Sequence, residues 1–505
     1  MTLLYRLSCC LTVSLLCLLL LAPAKARCDA AAAASLKPDV RLLIDISGSM
    51  RQSDPDNLRA PALDLIVRLL PEGAKAGVWI FGETVTALVP HRIIDQSWRD
   101  QAATAVAAIN NSGLRTHIPA ALQAAIYDIG SIDPGYRPSI VLLTDGKVDV
   151  SESPMANAAA ARKLLEQSAP SLKATGIPVH TIALSDDADW EFLRSLAAIT
   201  GGVAEKAETA GKLTEVYYQA LETVAPMERV PLEGDAFIID DNVREFTALA
   251  FFEPGQADAR LESPLGQLSS PQDPGSTEAF GDVLWFQNDQ FAAVTIHHPV
   301  AGQWRLITPG STTARVTVVS DMSLAVDPLP NSLPAGRASE LGIALQEKGR
   351  TITDPEFLAL LDIVVEINGP KAGELFQLLE VSALYPPPAS GEYRVSVPAF
   401  EDAGRYSVTV QVSGKTFQRE LPLVLDVLPP PKATRIITRS EHIVAEDLTG
   451  PLSIAGGVAT AVLIMMSWYL WRRRRRRIES WRRRSRPPEE DLISGISADA
   501  EHDRP

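Results

Sequence analysis

Cysteine is nearly absent from this chain of 505 residues, which has four: Cys9, Cys10, Cys17 and Cys28. The first three lie between Arg6 and the small-x-small triplet Ala24-Lys25-Ala26, in an apolar run with the pattern of a cleaved export signal over residues 1–26. A mature chain beginning after that signal keeps one thiol and can form no internal disulfide, so packing alone must stabilise it. A secreted eukaryotic chain of this size built on β-sandwiches would usually carry disulfides, and their lack points to a bacterial periplasm. A lipid anchor on Cys28 is disfavoured by Arg27, which stands where a small residue is needed.

Catalytic signatures are missing as well. The sequence has no nucleophile elbow, no HExxH and no pair of acids spaced for hydrolysis, so an enzyme is not expected. His297 and His298 are neighbours on an expected strand, point to opposite faces and cannot readily chelate one ion together. His117 reads as a solvated loop residue and stays outside the candidate site. Gly414-Lys415-Thr416 resembles a phosphate loop only superficially, because Thr409 stands where the first glycine belongs. Basic charge is also scarce: residues 27–471 hold 34 Lys and Arg against 55 Asp and Glu, a net charge of −21. Such a body repels the phosphates of a nucleic acid, and no nucleic-acid partner is expected.

What is present is length enough for roughly three domains. From Asp39 to Ala225, short apolar strands (Val40–Ile46, Gly77–Phe81, Ser139–Thr144, Val179–Leu184) alternate with helical spacing over Leu58–Leu70, Ser97–Ile109, Ile118–Ile129, Ala156–Ala169, Trp190–Ala198 and Lys212–Val224. That alternation predicts a parallel sheet covered by helices, with Thr84–Val89 as a short antiparallel edge strand. After Pro226 the pattern turns to strands, and two all-β sandwiches are expected over 230–321 and 322–428. In the second, Asp402-Ala403-Gly404-Arg405-Tyr406 is similar to the tyrosine corner of Ig-like domains, in which the hydroxyl ties back to the backbone.

Pro429-Pro430-Pro431 begins a stiff juxtamembrane linker, 429–451. Residues 452–471 follow without a charge, and 20 residues at about 1.5 Å each span roughly 30 Å, one hydrocarbon core. Arg472 to Arg477 come next, at the head of a basic tail, 472–505. By the positive-inside rule this tail is cytoplasmic and the body faces outward, as a single-pass inner-membrane protein. Its arginines suit anionic lipid. Ser453, Gly457 and Ala461 recur on one helix face, a stripe that suits a homodimer through the membrane helix.

The chemistry is concentrated in three loops. Asp45-Ile46-Ser47-Gly48-Ser49 lies where a buried strand ends and a helix begins, the position at which parallel sheets bind ligands. Thr116 follows Gly113-Leu114-Arg115 ahead of a helix, and Asp145 follows the strand that ends Leu143-Thr144. Any one of these could simply cap a helix. Together, and with Thr200-Gly201-Gly202 ahead of the last edge strand, they resemble the von Willebrand factor A (VWA) family with its metal-ion-dependent adhesion site. Asp186, Asp187 and Asp189 suggest a second cation site, but Asp189 is better placed to cap the helix that starts at Trp190.

The resemblance implies a Rossmann-like α/β domain over 39–225. It also implies a metal held by Asp45, Ser47, Ser49, Thr116 and Asp145, with the three hydroxyls in direct contact and the two carboxylates acting largely through water. Oxygen donors suit Mg²⁺, or Mn²⁺ or Ca²⁺, rather than zinc. An open coordination position would then accept an Asp or Glu from a protein partner. A subunit or sensor of an envelope complex, signalling through the helix and arginine tail, is the second expectation. An exported hydrolase with its site in the sandwiches is a remote third.

Overall fold

The computed structural model describes residues 36–185, 188–208, 212–252, 255–309, 313–371, 374–382, 386–429 and 461–476. The expected signal peptide, nearly all of the juxtamembrane linker, the tail after Arg476 and the pair Asp186-Asp187 lie outside them. Strands β1 (Lys37–Asp45), β2 (Lys75–Phe81), β3 (Val85–Ile93), β4 (Tyr136–Thr144), β5 (Val179–Leu184) and β6 (Ala204–Ala207) form one sheet in the order β3-β2-β1-β4-β5-β6. Only β3 runs antiparallel to its neighbour. The inner strands are apolar on both sides because helices cover both faces. In β1, Val40, Leu42 and Ile44 pack with Leu63, Ile66, Tyr217 and Leu221, whereas Leu43 turns the other way, towards Leu122, Phe192 and Leu196.

Several elements run longer than the spacing predicts, among them an edge strand and a helix that each run through a proline. The edge strand continues through Pro90 to Ile93, which an edge tolerates because one side of it needs no ladder donor. The helix expected over Ala156–Ala169 starts at Pro154 and reaches Ala174, with a π-helical turn at Leu164–Ser168. Pro170 follows that turn and has no N–H for the carbonyl four residues back, so the ladder must adjust there.

Chain order places the binding end of the sheet. The connection from β1 goes to β2 on one side, while β4 lies on the other, so the order reverses between β1 and β4. The crevice at the carboxyl ends of these two strands is the switch point of the fold. Asp45 ends β1 and Asp145 immediately follows β4.

Beyond Pro226, strands β7 to β14 (Ala236–Ile239, Val243–Phe251, Arg260–Glu262, Leu268–Ser269, Asp282–Gln287, Phe291–His297, Gly302–Ile307, Thr313–Ser320) form two four-stranded sheets. The sheets share a core of Phe237, Phe246, Phe280, Ile296, Trp304 and Val316. Strands β15 to β23 (Met322–Val326, Ser332–Pro334, Ser339–Glu347, Arg350–Thr351, Asp362–Asn368, Leu375–Glu380, Glu392–Val397, Gly404–Ser413, Gln418–Leu428) build another pair of sheets around Leu341, Ile343, Val365, Tyr406, Val408 and Leu425. The Tyr406 hydroxyl donates to the carbonyl of Asp402 at 3.1 Å, the backbone tie expected of it. His297 pairs with Glu245 at 3.1 Å. Gly414-Lys415-Thr416 is the turn between β22 and β23, closed by a 2.9 Å bond from the N–H of Gly414 to the carbonyl of Phe417.

The segment joining the α/β domain to these sheets is itself extended. Arg229 bridges Thr317 of β14 on one side and Glu420 of β23 on the other. Its N–H and C=O exchange hydrogen bonds with Glu420 at 2.8 and 2.9 Å. Arg405 of β22 reaches Glu205 of β6 at 2.6 Å, and Asn331 lies 3.2 Å from the buried His180 of β5.

The C-terminal unit, described by itself, is a helix over 461–476. Among the described residues no helix is long and apolar enough to cross a membrane; residues 452–460 of the expected span lie outside them. Arg472 stacks on Trp468 and Arg475 on Trp471, at 4.9 and 4.1 Å.

Candidate metal site

Backbone contacts bring the three loops together. The N–H of Ile46 donates to Phe81, the N–H of Gly113 to Ile46 at 2.8 Å, and the N–H of His117 to Gly82. Gly113 is required by this stacking, since a Cβ there would sit 2.8 Å from the Ile46 carbonyl oxygen. The N–H of Asp149 donates to the carbonyl of Thr116 at 3.0 Å, which ties the loop after β4 to the same layer.

Asp45 is fully buried and acts from behind. Its Oδ1 accepts from the N–H of Ser47 at 2.8 Å, and its Oδ2 from the Thr144 hydroxyl at 2.5 Å. In front of it the Ser47 and Ser49 Oγ atoms lie 3.0 Å apart, and Ser49 Oγ donates to Asp145 Oδ1 at 2.7 Å. Ser53, one helical turn after Ser49, donates to the other oxygen of Asp145. Thr116 is buried and faces Gly146, where a Cβ would come within 3.0 Å of its Oγ1. Hydrogen bonds thus link Asp45, Ser47, Ser49 and Asp145, with Asp45 behind the serines, and Thr116 lies beside them across Gly146.

Burial pushes the Asp45 carboxyl up to about 6, against the opposing hydrogen bonds from Thr144 and Ser47, and the nearby Asp145 charge adds to the rise. Burial also pushes Asp145 up, while bonds from Ser53 and Ser49 work the other way. Among the described residues neither carboxylate forms an ion pair with Lys, Arg or His. The nearest fixed cation is Arg59, which is fully buried and otherwise engaged. Its guanidinium binds Asp54 at 2.6 Å, the Asp45 carbonyl, Asn57 at 3.1 Å and Asn111. Arg59 therefore fixes the backbone of the loop and leaves the Asp45 carboxylate uncompensated.

A divalent cation fits this donor set. Adjacent oxygens around Mg²⁺, each about 2.1 Å from the ion, are about 3.0 Å apart in an octahedron. The 3.0 Å spacing of the Ser47 and Ser49 hydroxyls matches that edge, and Asp145 lies beside them, bonded to Ser49. Among the described residues no three His, Cys, Asp or Glu side chains group as metal ligands, so the donors on offer are chiefly hydroxyls. His117 caps the helix Ile118–Ala125, its Nδ1 accepting from Ala120. Asp189 caps the helix at Trp190 through the N–H of Phe192.

Four contributors are not evident in the sequence reading: Ser53, Thr144, Arg59 and Gly146. For Ser53 the signal was its four-residue spacing from Ser49, which puts the two hydroxyls on one face of a turn.

Residues 39–219 match the family described as the von Willebrand factor type A domain, and the chain carries a domain of that family there. Members with the metal-ion-dependent adhesion site bind divalent metals. No curated protein matches the chain. Among solved structures, a von Willebrand factor type A protein from Catenulispora acidiphila is 16% identical over 62% of this chain and 63% of its own, with a TM-score of 0.30. Proximal thread matrix protein 1 of the mussel byssus, in a form with zinc in its MIDAS motif, is 18% identical over 39% of this chain and 50% of its own, at 0.31. BatB, a conserved hypothetical protein of Bacteroides thetaiotaomicron, is 18% identical over 37% and 97%, at 0.29. The chain thus spans less than two thirds of the Catenulispora and mussel proteins.

Proposed function

We propose that this protein is a membrane-anchored module that binds a partner protein through a divalent cation held at Asp45, Ser47, Ser49, Thr116 and Asp145. The observation that carries the reading is the run of oxygens from Ser47 through Ser49 to Asp145, beside a second, buried acid, with neither carboxylate in an ion pair among the described residues. Mg²⁺, Mn²⁺ or Ca²⁺ suits these donors better than a metal that prefers nitrogen or sulfur. Once bound, the ion supplies a Lewis-acidic position for a carboxylate of the partner. Within the chain, Asp45 orients Ser47 through its backbone N–H, Ser53 orients Asp145, and Arg59 fixes the loop. The role proposed for this chain is binding.

The export signal at 1–26, the uncharged stretch 452–471 and the arginines after it support a single pass through a bacterial inner membrane with the domains in the periplasm. The Tyr406 tie supports an Ig-like character for the second β module. To test the reading, the detergent-solubilised full chain is titrated with Mn²⁺ by electron paramagnetic resonance, then used as bait in envelope extract with Mg²⁺ or EDTA. Saturable binding of one ion, lost in Asp45→Ala, with a partner retained only in Mg²⁺, is the expected result. A partner that stays bound in EDTA would move recognition to the β modules.

A further inference from the structure

Leu114 and Met155 are the most exposed large apolar side chains among the described residues, at 79% and 84%. Neither belongs to the metal shell, yet both stand on its loops. Leu114 lies between Gly113, which is bonded to Ile46, and Thr116. Met155 sits at the start of the helix Pro154–Lys163, at the end of the loop that begins with Asp145. Arg115 links the two segments, lying 3.3 Å from Asp149 and 3.7 Å from Glu152.

In the loops that carry the site, Arg51, Arg115 and Lys147 equal Glu83, Asp149 and Glu152 in number, and Arg115 pairs with Asp149 and Glu152. Net charge therefore gives the rim little power to choose among acidic partners. Two large apolar groups held in water beside a cation-binding crevice do have that power, because covering each removes apolar surface from solvent.

We infer that Leu114 and Met155 form an apolar rim that selects, among acidic ligands, a carboxylate flanked by large apolar side chains on the partner chain. This rests on the metal-bridged reading proposed above and names the class of segment that would satisfy it. Covering one such side chain is worth roughly tenfold in affinity.

The test uses the full chain in detergent with Mg²⁺, applied to immobilised synthetic peptides with one central Glu. One set flanks the Glu with Leu and Phe, a second with Ser and Asn, and Gln replaces Glu in the controls. Mn²⁺ binding is measured separately. The expected result is at least tenfold tighter, EDTA-sensitive binding of the apolar-flanked set, with the preference gone in Leu114→Ser and Met155→Ser while Mn²⁺ binding is unchanged. Equal, EDTA-sensitive binding of both Glu sets would overturn the apolar rim and leave the metal bridge standing. Binding that ignores EDTA or the Glu→Gln change, or no binding to either set, would overturn the rim; absent Mn²⁺ binding would remove the metal reading as well.

Discussion

The two ends of β1 carry buried aspartates in opposite electrostatic settings. At the amino end, Asp39 meets Arg41 at 2.7 Å and His91 at 2.7 Å, and Arg41 also holds Asp128 at 2.6 Å. Burial pushes the Asp39 carboxyl up, but the hydrogen bonds from His91 and Arg41 outweigh it and hold the group below its usual range. At the carboxyl end Asp45 has only a hydroxyl and an amide, and it is pushed up to about 6. The chain pairs the carboxylate with a cation at the first end, whereas at the second Arg59 is held by the Asp45 carbonyl, Asp54 and Asn111 and makes no ion pair with the Asp45 carboxylate. A buried acid that a fold leaves uncompensated beside convergent hydroxyls is poised for a cation from solution, whereas a compensated one is structural.

The sharpest way to break that comparison is to remove the internal cation. Arg41→Leu leaves Asp39 and Asp128 without their guanidinium at a fully buried position, which typically costs about 3–5 kcal/mol. The urea midpoint should fall accordingly, while any correctly folded fraction still binds Mn²⁺ at the far end of the sheet. A loss below about 1 kcal/mol would mean that the amino-end cluster is not what stabilises its acids.

Glu228, in the segment entering the β modules, asks whether a raised carboxyl alone marks a metal site. It is largely buried, accepts from the N–H of Leu324 at 2.8 Å, and lies 3.9 Å from the Arg419 guanidinium. Burial pushes it up to about 7 from an ordinary 4.5, and the bond from Leu324 and the Arg419 charge offset this only in part. Because the folded value is raised, its stabilising contribution is full below 4.5 and is lost as pH rises through about 7. The difference amounts to about 3 kcal/mol at most. Urea midpoints measured from pH 4 to 8 should therefore decline less in Glu228→Gln than in the parent. No Mn²⁺ should bind there, since among the described residues no hydroxyl bonds to its carboxylate; parallel pH curves would show that Glu228 ionises as freely folded as unfolded.

Much of the α/β domain was legible because its strands are apolar on both faces and its helices long enough for spacing to show. In the β modules, Ala236–Ile239, Arg260–Glu262 and Leu268–Ser269 are strands that alternation in the sequence does not mark. Strands of two to four residues are too short for alternation to register, and non-local pairing holds them in place. At the candidate site the Asp-x-Ser-x-Ser run, Thr116 and Asp145 could be read from order and position. Arg59 could not, since an arginine in the first turn of an amphipathic helix normally faces water. Only the tertiary fold turns it towards the Asp45 carbonyl and Asn111.

Adding the ion should sharpen the contrast. Mg²⁺ at a hundred times its dissociation constant should stabilise the parent by about 2.7 kcal/mol. In calorimetry the Arg41 end should contribute nothing to that gain, so a folded conservative variant there, such as His91→Gln, should show the same Mg²⁺ increment as the parent. A smaller increment would mean that the two ends are coupled through β1.

The smallest expected effect separates stability from binding. In Asp145→Asn the side-chain oxygen can still accept from one serine hydroxyl, and the new amide can donate to the other, Ser49 and Ser53 both being able to rotate. A buried charge without an ion pair is lost at the same time. The metal-free stability should therefore change by less than about 1 kcal/mol, while Mn²⁺ affinity falls roughly 10- to 100-fold. Stability lost by several kcal/mol without added metal would mean that Asp145 holds the loops together on its own account, as Arg41 does at the other end of the strand. A small change in stability with a large loss of affinity is the pattern of a carboxylate positioned for an ion that the chain does not itself supply.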